Sequence, residues 1–363
     1  MQKNSPNRLK QKRLNSPADY VYNGSFLLES GKSLPILKIR YQTFGNYSNN
    51  QVILVCHHLT GDCNVTNSSN SKEIGWWQDL IGETHLLNTK KYFIICANVL
   101  GSCFGTTGPN SINPETGSRY NMNFPIITIR DMVNAQYKLL EHLEVTQLQA
   151  VIGPSMGGML ALEWAIMYPE FANKTVVLAA PPIQPPHAIG LNEISRLAIM
   201  NDPEWLNGNY TKQPKNGAKL SRYPLLLACK NYERQFFYPE LSSITLPNKI
   251  SHKAFEIQKF LERQSSLHIN TMDANSYLYL LNAINLHNIT RDRDSLEKVL
   301  ESLTSEMIFI GISSDKLYPP ETLKHLSKKI RRSKYFEINS SSGHDAVLTE
   351  QIKIGNILKP FFP

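Results

Sequence analysis

The sequence predicts an α/β fold with a mostly parallel central sheet flanked by helices. Apolar runs of strand length recur along the chain, and amphipathic helical patterns separate them, which is the order that βαβ units produce. Between two of these strands lies a long stretch with helical patterns alone, which predicts an inserted helical cap. The 363 residues suffice for one large domain with such an insertion.

The strand and helix predictions rest on hydrophobic periodicity. Alternation over Ile36–Phe44 predicts a half-buried antiparallel strand, and apolar residues three and four apart between Ile129 and Leu143 predict a crossover helix. Continuous apolar runs predict the parallel strands Gln51–His57, Tyr92–Val99, Leu148–Gly153, Lys174–Ala180, Glu306–Ile312 and Lys334–Asn339.

The same patterns divide the chain into three regions. Residues 1–17 carry five basic and no acidic side chains and lack the apolar centre of a secretory signal, so we expect a disordered basic tail. Residues 18–183 and 301–363 form the predicted core, and residues 184–300 form the predicted cap. The helical pattern of Asp273–Asn288 belongs to this cap.

Composition narrows the class of protein. No apolar stretch approaches the roughly 20 residues that span a bilayer, so we expect a soluble protein without a membrane partner. The net charge is +8, but the basic residues are scattered. The one dense run, at 328–334, is typical of a solvated helix face, and we expect no nucleic-acid partner. Five cysteines without metal-ligand spacing favour a reducing cytoplasm and predict no metal site.

The segment Gly153-Pro154-Ser155-Met156-Gly157 matches Gly-x-Ser-x-Gly. The motif alone is weak, but here a strand precedes it and a helical pattern follows it. That context indicates the nucleophile elbow of an α/β-hydrolase fold. Glycines at 153 and 157 let strand and helix approach closely, so Ser155 is the candidate nucleophile on a strained turn.

A serine nucleophile needs a base, and the base needs a carboxylate that orients it. This fold places them in the chain order Ser, Asp, His, each after a strand. Asp315 follows the strand Glu306–Ile312, and His344 follows the strand Lys334–Asn339, so we assign Asp315 and His344 these roles. We interpret the other histidines after Ser155 as surface or packed imidazoles: His187, His252, His268, His287 and His325.

Two backbone N–H groups must stabilise the oxyanion. Met156, directly after the nucleophile, supplies one, and Leu59, in the loop after the first parallel strand, is our choice for the other. His57 and His58 precede Leu59. Adjacent strand side chains point to opposite faces and do not readily share a metal ion, so we favour a role in shaping the loop.

Many further segments together resemble the homoserine O-acetyltransferase family from about Ile36 to the C-terminus. They are CHHLTGD (56–62), GWWQDLIG (75–82), YFIICANVLGSCFGTTGP (92–109), SINPETG (111–117), FPIITIRDMV (124–133), SMGGMLALEWA (155–165), DANSYLYL (273–280), SSDKLYPP (313–320) and SGHDA (342–346). Chance does not account for this combination.

The resemblance implies Ser155, Asp315 and His344 as the catalytic triad. It implies that acetyl-CoA acylates the serine as a co-substrate. It also implies that the enzyme has no tightly bound cofactor. The side-chain hydroxyl of L-homoserine then takes the acetyl group, a step of methionine biosynthesis. Arg222 is implied to hold the acceptor's α-carboxylate and Asp345 its α-ammonium group; the alternatives are a surface ion pair and a loop-capping carboxylate. A homodimer through the cap is implied as well.

Several residues depart from the family pattern. Pro154 replaces a frequent glycine, and Lys316 replaces a usual tryptophan. Members that use succinyl-CoA tend to carry an arginine at the position of Leu317, whose absence favours acetyl-CoA, while the neighbouring Lys316 keeps succinyl-CoA as an alternative. Drift in Gln184–Ala188 and Phe237–Leu267 keeps L-serine as an alternative acceptor. An esterase or thioesterase would use the same triad, whereas a binding module without chemistry would not keep all three residues.

Overall fold

The computed structural model describes residues 16–47, 51–67, 74–230, 255–268 and 271–363. The predicted basic tail lies outside these ranges except for its last two residues. The first part of the divergent segment Phe237–Leu267 also lies outside them.

An eight-stranded sheet forms the centre of the described chain, in the order β1-β4-β8-β5-β9-β10-β11-β12. β1 and β4 are antiparallel to their neighbours, and the strands from β8 to β12 run parallel. Two small sheets, β2 with β3 and β6 with β7, lie outside it. The strands are β1 (Ala18–Tyr22), β2 (Phe26–Leu27), β3 (Ser33–Leu34), β4 (Leu37–Phe44), β5 (Val52–Val55), β6 (Ile81–Gly82), β7 (Leu87–Asn88), β8 (Phe93–Ala97), β9 (Leu148–Pro154), β10 (Ala172–Leu178), β11 (Glu306–Ile312) and β12 (Ser333–Ile338).

The helices flank this sheet or belong to the long insertion after β10. No described helix is long and apolar enough to cross a bilayer. The α-helices are α1 (Ile129–His142), α2 (Met156–Met167), α3 (Pro186–Met200), α4 (Lys215–Leu220), α5 (Tyr223–Cys229), α6 (Glu256–His268), α7 (Ala274–Asn285), α8 (Leu296–Glu301), α9 (Pro320–Lys328), α10 (Ala346–Thr349) and α11 (Gln351–Leu358). Short 3-10 turns cover Asn121–Asn123, Pro203–Gly208, Gly343–Asp345 and Lys359–Phe361.

The α/β fold with a mostly parallel sheet is confirmed. Each predicted strand is present within two residues of its predicted ends, and α1 and α7 occupy the predicted helical patterns. β1 was not predicted, because this edge strand alternates between half-buried and exposed side chains and lacks an apolar run. The basic side chains of the run 328–334 are exposed, as expected, but the run spans the end of α9, a turn and the start of β12 instead of one helix face.

Burial on both faces explains why the central strands read as continuous apolar runs. All residues of β5 and β8 are buried, and so is nearly all of β9. One apolar core lies on the face that carries α1 and α2, and the other lies on the face that carries α11. Polar side chains on such strands would lose water on either side, so the sequence supplies aliphatic ones.

The insertion leaves the sheet after β10 and returns through a short antiparallel contact. Ile183 and Asn288 form a β-bridge. Beside it, the Gln184 N–H donates to the His287 carbonyl over 2.9 Å, and the Ile289 N–H donates to the Pro182 carbonyl over 3.1 Å. Helices α3 to α7 lie between the two bridge residues in the chain. The bridge therefore holds together the two ends of the insertion where it joins the core.

A buried ion network joins the returning segment to the core. Glu163 on α2, whose side chain is 1% exposed, pairs with Arg293 over 2.6 Å and with Arg130 of α1 over 3.4 Å. Arg130 also pairs with Glu29 over 2.7 Å, and Glu29 pairs with Arg291 over 2.8 Å. Each buried charge depends on its partners, because removal of one leaves the others unpaired in a poorly solvated place.

We expect Glu163→Ala to lower the free energy of unfolding by about 3 kcal/mol or more, since it leaves two guanidinium groups without their shared carboxylate. Urea unfolding followed by tryptophan fluorescence measures the change. Glu141→Ala is the matched control: Glu141 pairs with Lys138 at the surface, and its loss costs about 1 kcal/mol or less. An equal decrease in the free energy of unfolding of the two variants would contradict a stabilising role of the buried ion network.

Candidate active site

Ser155 lies on a tight turn between β9 and α2. Its backbone adopts φ 55° and ψ −123°, a strained conformation for a residue with a side chain. A Cβ at Gly153 would stand 2.0 Å from the Gly157 carbonyl oxygen, and one at Gly157 would stand 2.1 Å from the Cys56 carbonyl oxygen. Both positions therefore require glycine. Ser155 begins α2 without capping it, so its hydroxyl is free for another partner.

The structure brings together the three side chains that the sequence singled out. His344 Nε2 lies 2.8 Å from Ser155 Oγ, and His344 Nδ1 lies 2.6 Å from Asp315 Oδ2. The serine follows β9, the aspartate follows β11 and the histidine follows β12. The carboxyl ends of these parallel strands meet at one edge of the sheet, which explains why residues 189 positions apart touch.

The carboxylate of Asp315 is fixed on both oxygens. Oδ1 accepts hydrogen bonds from the Leu317 and Tyr318 N–H groups, each over 2.9 Å, while Oδ2 faces the imidazole. Burial of His344 disfavours its protonated form, but the Asp315 charge and hydrogen bond, with help from Asp345, outweigh burial and raise the pKa of the imidazole above 6.5. Such an imidazole is suited to accept a proton from Ser155.

Tyr318 supports the imidazole from the side and was missed by the sequence analysis. Its ring stands edge-on to His344, with centroids 5.2 Å apart. Its hydroxyl donates to Gln184 Oε1 over 3.1 Å, at the start of the insertion. His187 makes a second link to the same loop, because its Nε2 lies 2.9 Å from the Leu317 carbonyl oxygen. The SSDKLYPP segment contained Tyr318, but its contact across the fold left no local signal.

The two proposed oxyanion donors are Met156, next to the serine in the chain, and Leu59, in the lining of its cavity. Met156 is the first residue of α2, where an N–H has no intrahelical acceptor. Leu59 lies beyond the end of β5 and lines the same cavity as Ser155. This placement fits what the sequence analysis expected of both residues, while the stabilisation itself remains a proposal.

His57 has both ring nitrogens occupied, which bears on the metal interpretation. Because the Val99 N–H donates to Nε2 over 3.1 Å, Nδ1 carries the proton and donates to the His58 carbonyl over 2.7 Å. Burial lowers the pKa of His57, so the ring is neutral. β5 ends at Val55, so both histidines lie in the loop and not on the strand. Within the described ranges, no three His, Cys, Asp or Glu side chains gather as a metal site would need.

Arg222 and Asp345 both line the cavity that contains Ser155. Arg222 Nη1 donates to the Tyr277 hydroxyl over 3.1 Å, and the guanidinium lies over the Tyr277 ring with its carbon 5.3 Å from the centroid. Arg222 Nε is buried and has no hydrogen-bond partner among the described residues. An unpaired buried donor beside a fixed guanidinium is suited to a carboxylate, which can bind Nε and Nη2 together.

Asp345 directly follows His344 in the 3-10 turn after β12. Lys230 Nζ lies 3.5 Å from Asp345 Oδ2. Burial raises the pKa of Asp345, while Lys230, His344 and Arg222 oppose that rise. Lys230 was not predicted as a site residue, because nothing in the surrounding sequence marks it.

The other walls of the cavity come from both parts of the chain. The insertion supplies helices α3, α5 and α7, which explains how helices remote from the sheet in sequence cover its edge. Their cavity-lining side chains are Asn192, Leu225, Leu226, Cys229 and Ile284. Leu317 lines the cavity as well, whereas Lys316 is exposed and does not.

The remaining histidines lie away from the serine or outside the description. His287 is buried with Nε2 3.1 Å from the Pro181 carbonyl oxygen, and burial lowers its pKa to about 3. His325 is exposed on α9. His252 and the side chain of His268 lie outside the described residues.

Comparison with known proteins agrees with this geometry. A family model described as the alpha/beta hydrolase fold matches residues 51–351. A homoserine O-acetyltransferase of Carboxydothermus hydrogenoformans is 42% identical over 347 residues, which cover 92% of each chain. A homoserine O-acetyltransferase of Geotalea uraniireducens is 39% identical over 357 residues, which cover 94% of this chain and 95% of that one.

Solved structures give the same result at lower identity. The crystal structure of homoserine O-acetyltransferase from Bacillus anthracis superposes with a TM-score of 0.88 at 27% identity, covering 96% of this chain and 97% of that one. Esterase E22 superposes with a TM-score of 0.87 at 27% identity, covering 96% and 100%. On the sequence relatives and on the fold, this chain belongs to the homoserine O-acetyltransferase family of α/β-hydrolase-fold proteins.

Proposed function

We propose that this enzyme transfers the acetyl group of acetyl-CoA to the side-chain hydroxyl of L-homoserine, a step of methionine biosynthesis. One observation carries the proposal: a single cavity contains Ser155 Oγ together with an arginine and an aspartate of opposite charge. A hydrolase needs the triad but no such charged pair. A pair of opposite charges beside it fits the α-carboxylate and α-ammonium groups of an amino acid.

In the first half-reaction, Ser155 takes the acetyl group. His344 Nε2 accepts the proton from Oγ as the oxygen attacks the thioester carbonyl, and Asp315 stabilises the imidazolium that forms. The Met156 and Leu59 N–H groups stabilise the oxyanion. When the C–S bond breaks, the Nε2 proton goes to the departing sulfur, so free CoA leaves an acetyl-serine behind.

In the second half-reaction, the hydroxyl group of the acceptor attacks the acetyl-serine in place of the water molecule that a hydrolase would use. Arg222 binds the α-carboxylate through Nε and Nη2, and Asp345 binds the α-ammonium group, which presents the hydroxyl to His344. The imidazole takes the hydroxyl proton, the oxygen attacks the acetyl-serine, and the proton returns to Ser155 Oγ when the ester is released. Helices of the insertion, which we propose as a cap, keep water scarce at this stage.

The character of the cavity favours acetyl over succinyl as the donor group. A succinyl chain carries a second carboxylate that needs a cationic partner inside the site. Leu317, at the position where an arginine would serve succinyl-CoA, is 4% exposed and presents only an apolar wall. Lys316 is cationic but is exposed and is not among the residues that line the cavity. The fold likeness to esterase E22 keeps ester hydrolysis as the competing activity.

We also propose a cytoplasmic homodimer. On α3 an apolar stripe is exposed in the monomer, formed by Ile189, Ile194, Leu197 and Met200. A stripe of this kind on a helix of the insertion supports packing against the same face of a second copy. The five cysteines are free thiols, which supports a reducing compartment.

The proposed function is tested by a matrix of acetyl-CoA and succinyl-CoA against L-homoserine and L-serine, with CoA thiol release as the signal. We expect acetyl-CoA with homoserine to have the highest kcat/KM, and serine to be poorer by about tenfold or more because it is one methylene shorter. Thiol release at the same rate without any amino acid would identify a hydrolase instead.

Asp315→Asn should lower kcat by about 10⁴, because the imidazole loses the carboxylate that orients and stabilises it. The pH dependence adds a second signature. The wild-type rate falls as the pH drops through the raised pKa of His344, since the base must be neutral. Without the Asp315 charge the pKa of His344 falls, so the acid limb of the variant's pH–rate profile moves to lower pH. Asp292→Asn, at an exposed site, is the control and should keep the wild-type profile.

Arg222→Ala should raise the KM for homoserine roughly a hundredfold, because a buried carboxylate loses a partner worth about 3 kcal/mol. Acetyl loading of Ser155, measured as the p-nitrophenol burst from p-nitrophenyl acetate, should change less than about twofold. Tyr277→Phe removes the hydroxyl that holds Nη1 but keeps the guanidinium, so its effect should be smaller. An equal rise of the KM for acetyl-CoA would remove the assigned role.

A further inference from the structure

Lys230 reaches the proposed acceptor site from the end of α5. Its ammonium group lies 3.5 Å from Asp345 Oδ2, and the side chains of the pair are 26% and 34% exposed. The same ammonium group lies 5.0 Å from the centroid of the Phe260 ring on α6. Phe260 is buried, so it gives the lysine a fixed surface to rest on.

The arrangement leaves one side of the Asp345 carboxylate available. Lys230 faces Oδ2, and Oδ1 has no hydrogen bond or ion pair among the described residues. Asp345 is the neighbour of His344 in the chain, so a cation bound at Oδ1 would lie next to the catalytic imidazole. The carboxylate thus has a protein cation on one oxygen, and its residue lines the cavity that contains Ser155.

Such a carboxylate needs a permanent counter-charge. Burial favours its neutral form, which raises the pKa of Asp345, and Lys230 is the strongest influence in the opposite direction, ahead of His344 and Arg222. A neutral carboxyl group would bind an ammonium group weakly, because the charge-assisted part of the hydrogen bond would be lost.

We propose that Lys230 is a positioning residue that holds the Asp345 carboxylate in place for the α-ammonium group of the acceptor amino acid. Lys230 does not touch the acceptor; it acts through Asp345. The inference rests on the proposed function, since it assigns a part in amino-acid recognition. It also gives Phe260 a part, because the ring of α6 holds the ammonium group at the carboxylate.

The chain offers a matched control in Arg263. Its guanidinium carbon lies 5.9 Å from the centroid of the same Phe260 ring, one helical turn along α6. Within the described ranges Arg263 has no ion pair with Asp345, so its loss removes a cation and a cation–π contact without changing the carboxylate. Lys230→Arg tests rescue, because it keeps the charge.

The experiment compares wild-type enzyme with Lys230→Met, Lys230→Arg and Arg263→Met, using L-homoserine and 4-hydroxybutanoate, which lacks the α-ammonium group. We expect Lys230→Met to raise the KM for homoserine about tenfold or more, the weight of one charge-assisted hydrogen bond. The kcat/KM for 4-hydroxybutanoate and the p-nitrophenol burst should stay within about twofold. Lys230→Arg should restore most of the preference for homoserine, and Arg263→Met should keep it.

A KM for homoserine that stays within twofold in Lys230→Met would overturn the role of Lys230. So would a loss of equal size for homoserine and 4-hydroxybutanoate, since a general disturbance of the site affects both. Wild-type enzyme that does not acetylate homoserine contradicts the proposed function itself and thereby the inference built on it. The thermal midpoint of each variant separates unfolding from a change in recognition.

Discussion

The close packing of the turn around Ser155 against β5 is the constraint on which the site depends. With no side chain at position 157, the backbone of α2 approaches the Cys56 carbonyl so nearly that a single Cβ would not fit. This contact sets the height of Ser155 above the sheet. It also sets the distance to the loop that follows β5, where Leu59 lies. Ser155 and the loop that contains the proposed oxyanion donor Leu59 are therefore positioned by one backbone contact instead of by two independent ones.

The base and the proposed amino-acid site share a second constraint. His344 and Asp345 are consecutive residues of one short 3-10 turn, so the imidazole of the triad and the carboxylate proposed to bind the acceptor are fixed to each other through the backbone. Arg222 approaches from the insertion and meets them across the cavity. In the proposed acceptor site, the core thus supplies the catalytic residues and the carboxylate for the α-ammonium group, and the insertion supplies the guanidinium for the α-carboxylate. An acceptor bound through both charged groups of its α-carbon would present its hydroxyl in one orientation.

Most of the fold and the catalytic triad could be predicted from the sequence, for physical reasons. The parallel strands are buried on both faces, so they can be recognised in the sequence as apolar runs. The nucleophile elbow can be recognised because glycine is required at two fixed positions. Ser155, Asp315 and His344 follow from chain order. Contacts between distant segments were not predictable: Lys230 meets Asp345, and Tyr318 meets Gln184, through side chains with no local pattern. The edge strand β1 was missed because half-buried alternation is a weak signal.

The hydrogen bond between Tyr318 and Gln184 has a consequence for how this enzyme can diversify. The start of the insertion is hydrogen-bonded to the loop that carries Asp315. We therefore expect a change at the start of the insertion to disturb proton transfer as well as substrate access. Helices farther from the start of the insertion line the cavity without touching the triad's hydrogen bonds. On the proposed function, we therefore expect substitutions in α5, which lines the cavity, to alter acceptor choice more than acyl-serine formation, and new specificities to arise more readily there than at the base of the insertion.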